Sequence, residues 1–178
     1  GGFGDESHFA TGGFPVSLAV GDFDGDGNLD LATAHNDYYY YNAYPSVIVL
    51  LGNGDGTFAA VANHSLASGN PTSLAVGDFD NDGKMDLAVG THSSGYDYYY
   101  GSFDYAYVEV LMGFDSGSFQ NQNWFFLDYG STTGVAVADL DGDLDDDVVA
   151  VNGSSNYGSV LRGDGLGGFS GPSYFNTG

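Results

Sequence analysis

The sequence predicts an all-β protein of three repeated units, each of four antiparallel strands, with one extra strand besides. Three observations carry this. A long phrase recurs: "SLAVGDFDGDGNLDLATA" (17–34) returns as "SLAVGDFDNDGKMDLAVG" (73–90), and more loosely as "GVAVADLDGDLDDDVVAV" (134–151). Apolar Val16, Leu18 and Val20 alternate with Ser17, Ala19 and Gly21, the period of a strand. The chain uses 30 Gly and only 4 Pro, a composition of many short strands joined by tight turns. No stretch shows a 3.6-residue period, so helices are expected to be nearly absent.

Counting from the Phe that ends each Gly-rich turn ("NGDGTF", "FDSGSF", "DGLGGF") gives units at 3–57, 58–118 and 119–168. Residues 169–178 remain as the start of a fourth unit or as an exchange strand. All 178 residues form one repeat domain, long enough to bury a core. Within a unit the first strand follows the Phe, as in "FAAVANHSL" (58–66). The second is "TSLAVGD" (72–78), the third "MDLAVGTH" (85–92) and the fourth "AYVEVLM" (106–112). The continuously apolar "VIVLL" (47–51) suits a strand covered on both faces. The opening "GGFGDESHFATG" (1–12) and the closing "GGFSGPSYFNTG" (167–178) are versions of one phrase, so the chain is cut in phase with its own period. It begins with Gly, and is expected to be processed or a piece of something longer.

Charge narrows the function. There are 24 acidic residues against Lys84 and Arg162, and a net charge of −22 repels phosphate backbones, which excludes nucleic acid. Only Glu6 and Glu109 are Glu; the rest are Asp, the short carboxylate of turns and metal loops. There is no Cys, so disulfides and thiol-bound metals are excluded. No apolar run approaches the ~18 residues of a membrane span.

The acidic residues fall in a pattern. "DFDGDGNLD" (22–30) and "DFDNDGKMD" (78–86) place Asp at positions one, three, five and nine, with Gly at six. Carboxylates on alternate residues of a tight loop converge and repel unless a cation lies between them. Oxygen donors select Ca²⁺ over transition metals. The expected ligands are Asp22, Asp24, Asp26, Asp30 and the Asn28 carbonyl, then Asp78, Asp80, Asp82, Asp86 and the Lys84 carbonyl. Asp-Gly turns without metal compete with this reading, but two near-identical loops in register argue against them. An EF-hand is excluded, because its twelfth-position Glu is replaced by Thr33 and Val89. The third loop, "DLDGDLDDD" (139–147), keeps Asp139, Asp141, Asp143 and Asp147, adds Asp145 and Asp146, and puts Leu144 where Gly is needed for a sharp turn. About three Ca²⁺ are expected, the third in an altered site.

The phrases "LAVGDFDGDGNLDLA", "LAVGDFDNDGKMDLAV" and "LLGNGDGTF" resemble the FG-GAP/VCBS repeat family, which includes the calcium-binding blades of integrin α-subunit propellers. The resemblance implies four-stranded propeller-type blades, calcium in the loop between the second and third strands of a unit as counted here, and an extracellular setting. Closed propellers typically have four to eight blades, so three repeats imply an open arrangement or one completed between molecules. The fold alone does not fix a function.

Several features keep more than one reading. "HNDYYYYNAYP" (35–45) and "YDYYYGSFDYAY" (96–107) read as enlarged loops, with Tyr38, Tyr39, Tyr40, Tyr41, Tyr98, Tyr99 and Tyr100 as candidate contacts. They suit folding onto their own blade, a protein interface, or stacking on sugar rings. Asn63 and Asn152 begin glycosylation sequons. "RGD" (162–164) falls in a routine hairpin turn and is discounted as an adhesion motif. His8, His35, His64 and His92 lack metal-type spacing, and no nucleophile elbow, zinc motif or phosphate loop is present, so no enzyme is expected. The expected role is a structural or adhesive protein outside the cell, with other copies of itself as partner. A glycan-binding module and a non-catalytic propeller fragment of a larger secreted protein are the alternatives.

Overall fold

In the computed structural model, residues 7–11, 13–36, 44–99 and 101–178 are described, with the side chains at 60–62, 97, 121 and 122 left aside. They form twelve strands and no helix. β1 (Pro15–Gly21), β2 (Asp30–His35), β3 (Ser46–Gly52) and β4 (Phe58–Ser65) make the first sheet, in that order. β5 (Asn70–Gly77), β6 (Asp86–Asp97), β7 (Gly101–Phe114) and β8 (Ser118–Tyr129) make the second. β9 (Thr132–Ala138), β10 (Asp147–Asn152), β11 (Tyr157–Leu161) and β12 (Ser173–Asn176) make the third. Each is an antiparallel meander, as the all-β repeat reading requires, and none closes into a barrel.

The sheets run out of phase with the sequence units by one strand. The Gly-rich turn ending in Phe is a hairpin: Gly52 pairs with Phe58, and Phe114 with Ser118. The strand after each Phe therefore belongs to the sheet before it. A period sets the length of a unit and leaves its origin open, which is why the sequence did not show the offset. As a consequence β12, expected as the extra strand, completes the third sheet on β11. Its N-terminal counterpart, residues 7–11, has no strand assignment.

The Tyr-rich stretch 96–107 is not a loop. β6 and β7 run on as one long hairpin, paired from Leu87↔Leu111 out to Asp97↔Gly101. Phe103, Tyr105 and Tyr107 alternate along β7, a period of two that favours strand. Tyr98 and Tyr99 lie exposed at its tip, ring centroids 5.4 Å apart. Tyr38, Tyr39, Tyr40, Tyr41 and Tyr100 lie outside the described residues.

Apolar side chains pack between the sheets in two layers. Ala32, Ala34, Val47 and Val49 of the first blade meet Leu74, Leu87, Val89 and Leu111 of the second. Ala88, Val108 and Val110, on the second blade's other face, meet Val148, Ala150 and Leu161 of the third. Each buried Leu or Val contributes roughly 1.5–3 kcal/mol. The two joints repeat one device. The Phe23 ring meets Phe119 at 5.7 Å, and Gly117 N–H donates to the Phe23 carbonyl at 3.1 Å. Phe79 meets Phe169 at 5.2 Å, and Gly167 N–H donates to the Phe79 carbonyl at 2.9 Å. Both rings are buried.

Glu109 adds a buried latch. Its carboxylate accepts from Ala67 N–H (3.0 Å), Ser68 N–H (2.9 Å) and the Ser68 hydroxyl (2.7 Å), and so ties the crossover from the first blade to the middle of the second. A lone Glu in an apolar strand gives no spacing signal that would mark this role in the sequence.

Candidate metal centres

Each acidic loop joins the first and second strands of a blade. Within a loop, carboxylates fold back on the backbone. Asp22 accepts from Gly25 N–H (2.8 Å) and Gly27 N–H (2.9 Å). Asp78 accepts from Asp82 N–H (3.1 Å) and Gly83 N–H (3.0 Å), and Asp139 from Gly142 N–H (2.7 Å) and Leu144 N–H (3.1 Å). These bonds require left-handed backbone at the fourth and sixth positions. Gly27 and Gly83 take it freely at φ +88° and +84°, whereas Leu144 is forced to +78° with its side chain in solvent.

The ninth-position Asp is a clamp. Asp30 accepts from Phe23 N–H (2.7 Å) and from Gly52 N–H (2.8 Å), where the third strand ends. Asp86 repeats this with Phe79 and Gly113, both at 2.7 Å, and Asp147 with Leu140 (2.9 Å) and Gly163 (3.0 Å). All three are buried. Burial raises the carboxyls of Asp30 and Asp80, and pushes Asp86 up to about 6.

Three clusters could hold metal ions: Asp22, Asp24 and Asp30; Asp78, Asp80 and Asp86; Asp139, Asp141 and Asp143. In each, one oxygen per residue lies within 4.8 Å of the others. At such a distance each like-charged pair costs between about 1 and about 3.5 kcal/mol, depending on the local dielectric. A hard cation removes that cost, and an all-oxygen donor set fits Ca²⁺. Asp26 and Asp82 lie beside the first two clusters, their oxygens receiving the Asn28 and Lys84 amides at 2.7 and 2.9 Å. The Lys84 ammonium, 2.5 Å from Asp82, also holds that carboxyl low. Asp145 accepts from Asn81 Nδ2 of the second loop at 2.9 Å. Asp146 accepts from Asp78 N–H at 3.0 Å. The extra acids of the third loop thus knit it to the second.

The remaining candidates are not cluster members, although Arg162 reaches the third cluster through Asp141. Asn63 is exposed on β4, while Asn152 is engaged, donating to the Tyr129 carbonyl (2.8 Å) and accepting from Ser154 N–H (3.0 Å). Arg162 pairs with Asp141 at 3.1 Å, and His92 with Asp104 at 2.8 Å. Among the described residues no helix is long and apolar enough to cross a membrane.

A family model described as FG-GAP repeat matches residues 14–49, and one described as FG-GAP-like repeat matches residues 34–89. Together they span the first blade and the second acidic loop. No curated protein matches the chain.

Proposed function

From the premise that residues 14–89 are FG-GAP repeats of a propeller-type repeat protein, we propose that the chain is an extracellular, calcium-stabilised structural or adhesive protein that assembles head to tail. One observation carries the calcium reading: metal loop and blade joint are the same residues. Phe23 lies between Asp22 and Asp24, and Phe79 between Asp78 and Asp80, and both rings are the anchors on which the next blade seats. An ion that fixes the carboxylates fixes the joint, which makes its role structural and non-catalytic. FG-GAP repeats are typical of extracellular or surface proteins, and calcium modules there bind at roughly 0.1–1 mM, matched to calcium outside cells. Chelation at fixed ionic strength should lower the melting temperature; an unchanged melting curve contradicts the reading.

Assembly is supported by the end faces. Leu74 and Val76 pack between the first two blades, yet their counterparts Leu18 and Val20 on the first blade are exposed. At the other end Leu140, the counterpart of Phe23 and Phe79, is 52% exposed. Apolar blade faces of this kind associate. Light scattering in calcium should show species well above 18.6 kDa.

A second reading, glycan binding, has its own observation. Tyr105, Tyr107, Trp124, Phe126 and Tyr129 cluster on one face of β7 and β8, with Trp124, Phe126 and Tyr129 exposed. Beside them is a cavity of about 580 Å³ lined by Phe103, Tyr105 and Tyr129 with Ser102, Asp104 and Ser154. Exposed rings flanked by hydroxyls and a carboxylate suit sugar faces. Glycan-array binding lost in Trp124→Ala supports this reading; a blank array removes it.

A further inference from the structure

At each internal joint the Phe that closes a turn is met by two groups of the preceding blade. Phe119 is met by Phe23 and, at 6.5 Å and 81°, by His64 of β4. Phe169 is met by Phe79 and, at 5.7 Å and 71°, by Phe125 of β8. His64 follows Phe58 at the same interval as Phe125 follows Phe119, so both come from the same place on an outer strand. Phe9 follows Phe3 at that interval too, and it meets Phe58 at 5.1 Å and 80°. Residues 7–11 therefore lie against the first blade as β4 lies against the second and β8 against the third. Theirs is the place of an outer strand whose blade is not among the described residues of the chain.

The strand that accepts this phrase is known from the chain itself. β11 pairs with the matching residues of β12: Val160↔Ser173, Ser159↔Tyr174, Gly158↔Phe175, Tyr157↔Asn176. Gly158 lets the Phe175 ring lie close over β11, since a Cβ would be 2.2 Å from that ring and would push it aside. Ser7, His8, Phe9 and Ala10 correspond in order to Ser173, Tyr174, Phe175 and Asn176. β12 is four residues long and exposed throughout, so an equivalent strand can replace it at little net cost in pairing.

Resting on the head-to-tail reading above, we propose that the occupant of the first blade's exposed face is the third blade of a second copy, and that residues 7–11 pair with that copy's β11 in place of its β12. Leu140 of the second copy then takes beside Phe58 the place that Phe23 and Phe79 take at the internal joints. Leu29, 67% exposed, takes the place of Met85, which packs in the first core layer. The pairing is main-chain addition at a strand edge. The contact is heterologous and propagates as a filament, or as a ring if its rotation closes.

The chain has no Cys, so two cysteines trap the joint cleanly. His8→Cys/Ser159→Cys, air-oxidised in calcium, should give a ladder in steps of 18.6 kDa on a non-reducing denaturing gel. Tyr174→Cys/Ser159→Cys should close within each chain when dilute and lose that closure on assembly. Wild type that assembles while His8→Cys/Ser159→Cys gives no ladder overturns this joint and leaves the head-to-tail reading standing. Wild type that stays monomeric in calcium at all concentrations overturns both. Because Leu18 is 64% exposed on the same face and lies outside the acidic loop, Leu18→Lys should fold and melt as wild type yet need at least about tenfold more protein to assemble; assembly at the wild-type concentration also overturns the joint.

Discussion

The second and third acidic loops share one nine-residue pattern and come to different ends. In the second, Gly83 makes the sharp turn, Phe79 is buried under the third blade, and the buried Asp86 joins Asp78 and Asp80 in the cluster. In the third, Leu144 is held in left-handed backbone and Leu140 faces solvent. Its cluster is Asp139, Asp141 and Asp143, all exposed, and the buried Asp147 clamps Leu140 and Gly163. The difference teaches that spacing brings carboxylates together, whereas a neighbouring blade seated on the second residue buries the site. The first loop agrees, since Phe23 is buried and Asp30 joins its cluster.

The clamp positions should separate the two loops most. Asp86→Ala removes acceptors from two buried N–H groups and a member of the proposed calcium cluster together. It should cost about 3–5 kcal/mol by denaturant unfolding in calcium, with less of the loss seen in chelator. Asp147→Ala should lose a comparable amount whether or not calcium is present. An equal calcium dependence for the two variants breaks the comparison.

Backbone strain comes next. Leu144→Gly relieves a left-handed Leu and should stabilise by about 1 kcal/mol. The converse change, Gly83→Leu, should destabilise by about 1–2 kcal/mol. Thermal melts of the two variants check both signs.

Acidity tests the burial of the second site. Without calcium the folded carboxyl of Asp86 titrates at about 6, above its ordinary 3.8, because burial disfavours its charge. The folded chain therefore holds this proton more tightly than the unfolded chain does. The resulting stabilisation is complete below about pH 4 and is lost as pH rises through about 6. Urea midpoints in chelator should fall over that window, and saturating calcium, which takes the proton's place, should flatten the trend. Asp86→Asn should abolish it. The smallest expected effect is that of Lys84→Ala. Freeing Asp82 from an exposed, solvent-screened ion pair should tighten calcium binding at the second loop only slightly, with no change at the third.

Much of this was legible beforehand. Alternation along Val16–Gly21 is enough to mark a strand, and Asp at one, three, five and nine is enough to mark a converging loop. What stayed hidden depends on contacts between distant residues. The phase of the sheets turns on whether Phe58 pairs backwards to Gly52, which the repeat length does not encode. The long hairpin of β6 and β7 turns at Tyr98 and Tyr99, residues with no turn signature. Asp145 reads as a ligand by its position, and its bond from Asn81 of the second loop is a contact between distant residues that no spacing announces.

The central claim is that calcium in these loops holds blade to blade. Its most direct test is thermal unfolding at fixed ionic strength, in millimolar calcium and in chelator, followed in wild type and in Phe79→Ala. Calcium should raise the wild-type midpoint by well over 5 °C, and Phe79→Ala should lose most of that gain, because the loop is then uncoupled from the third blade. Equal midpoints with and without calcium, or a full calcium gain in Phe79→Ala, would contradict the account.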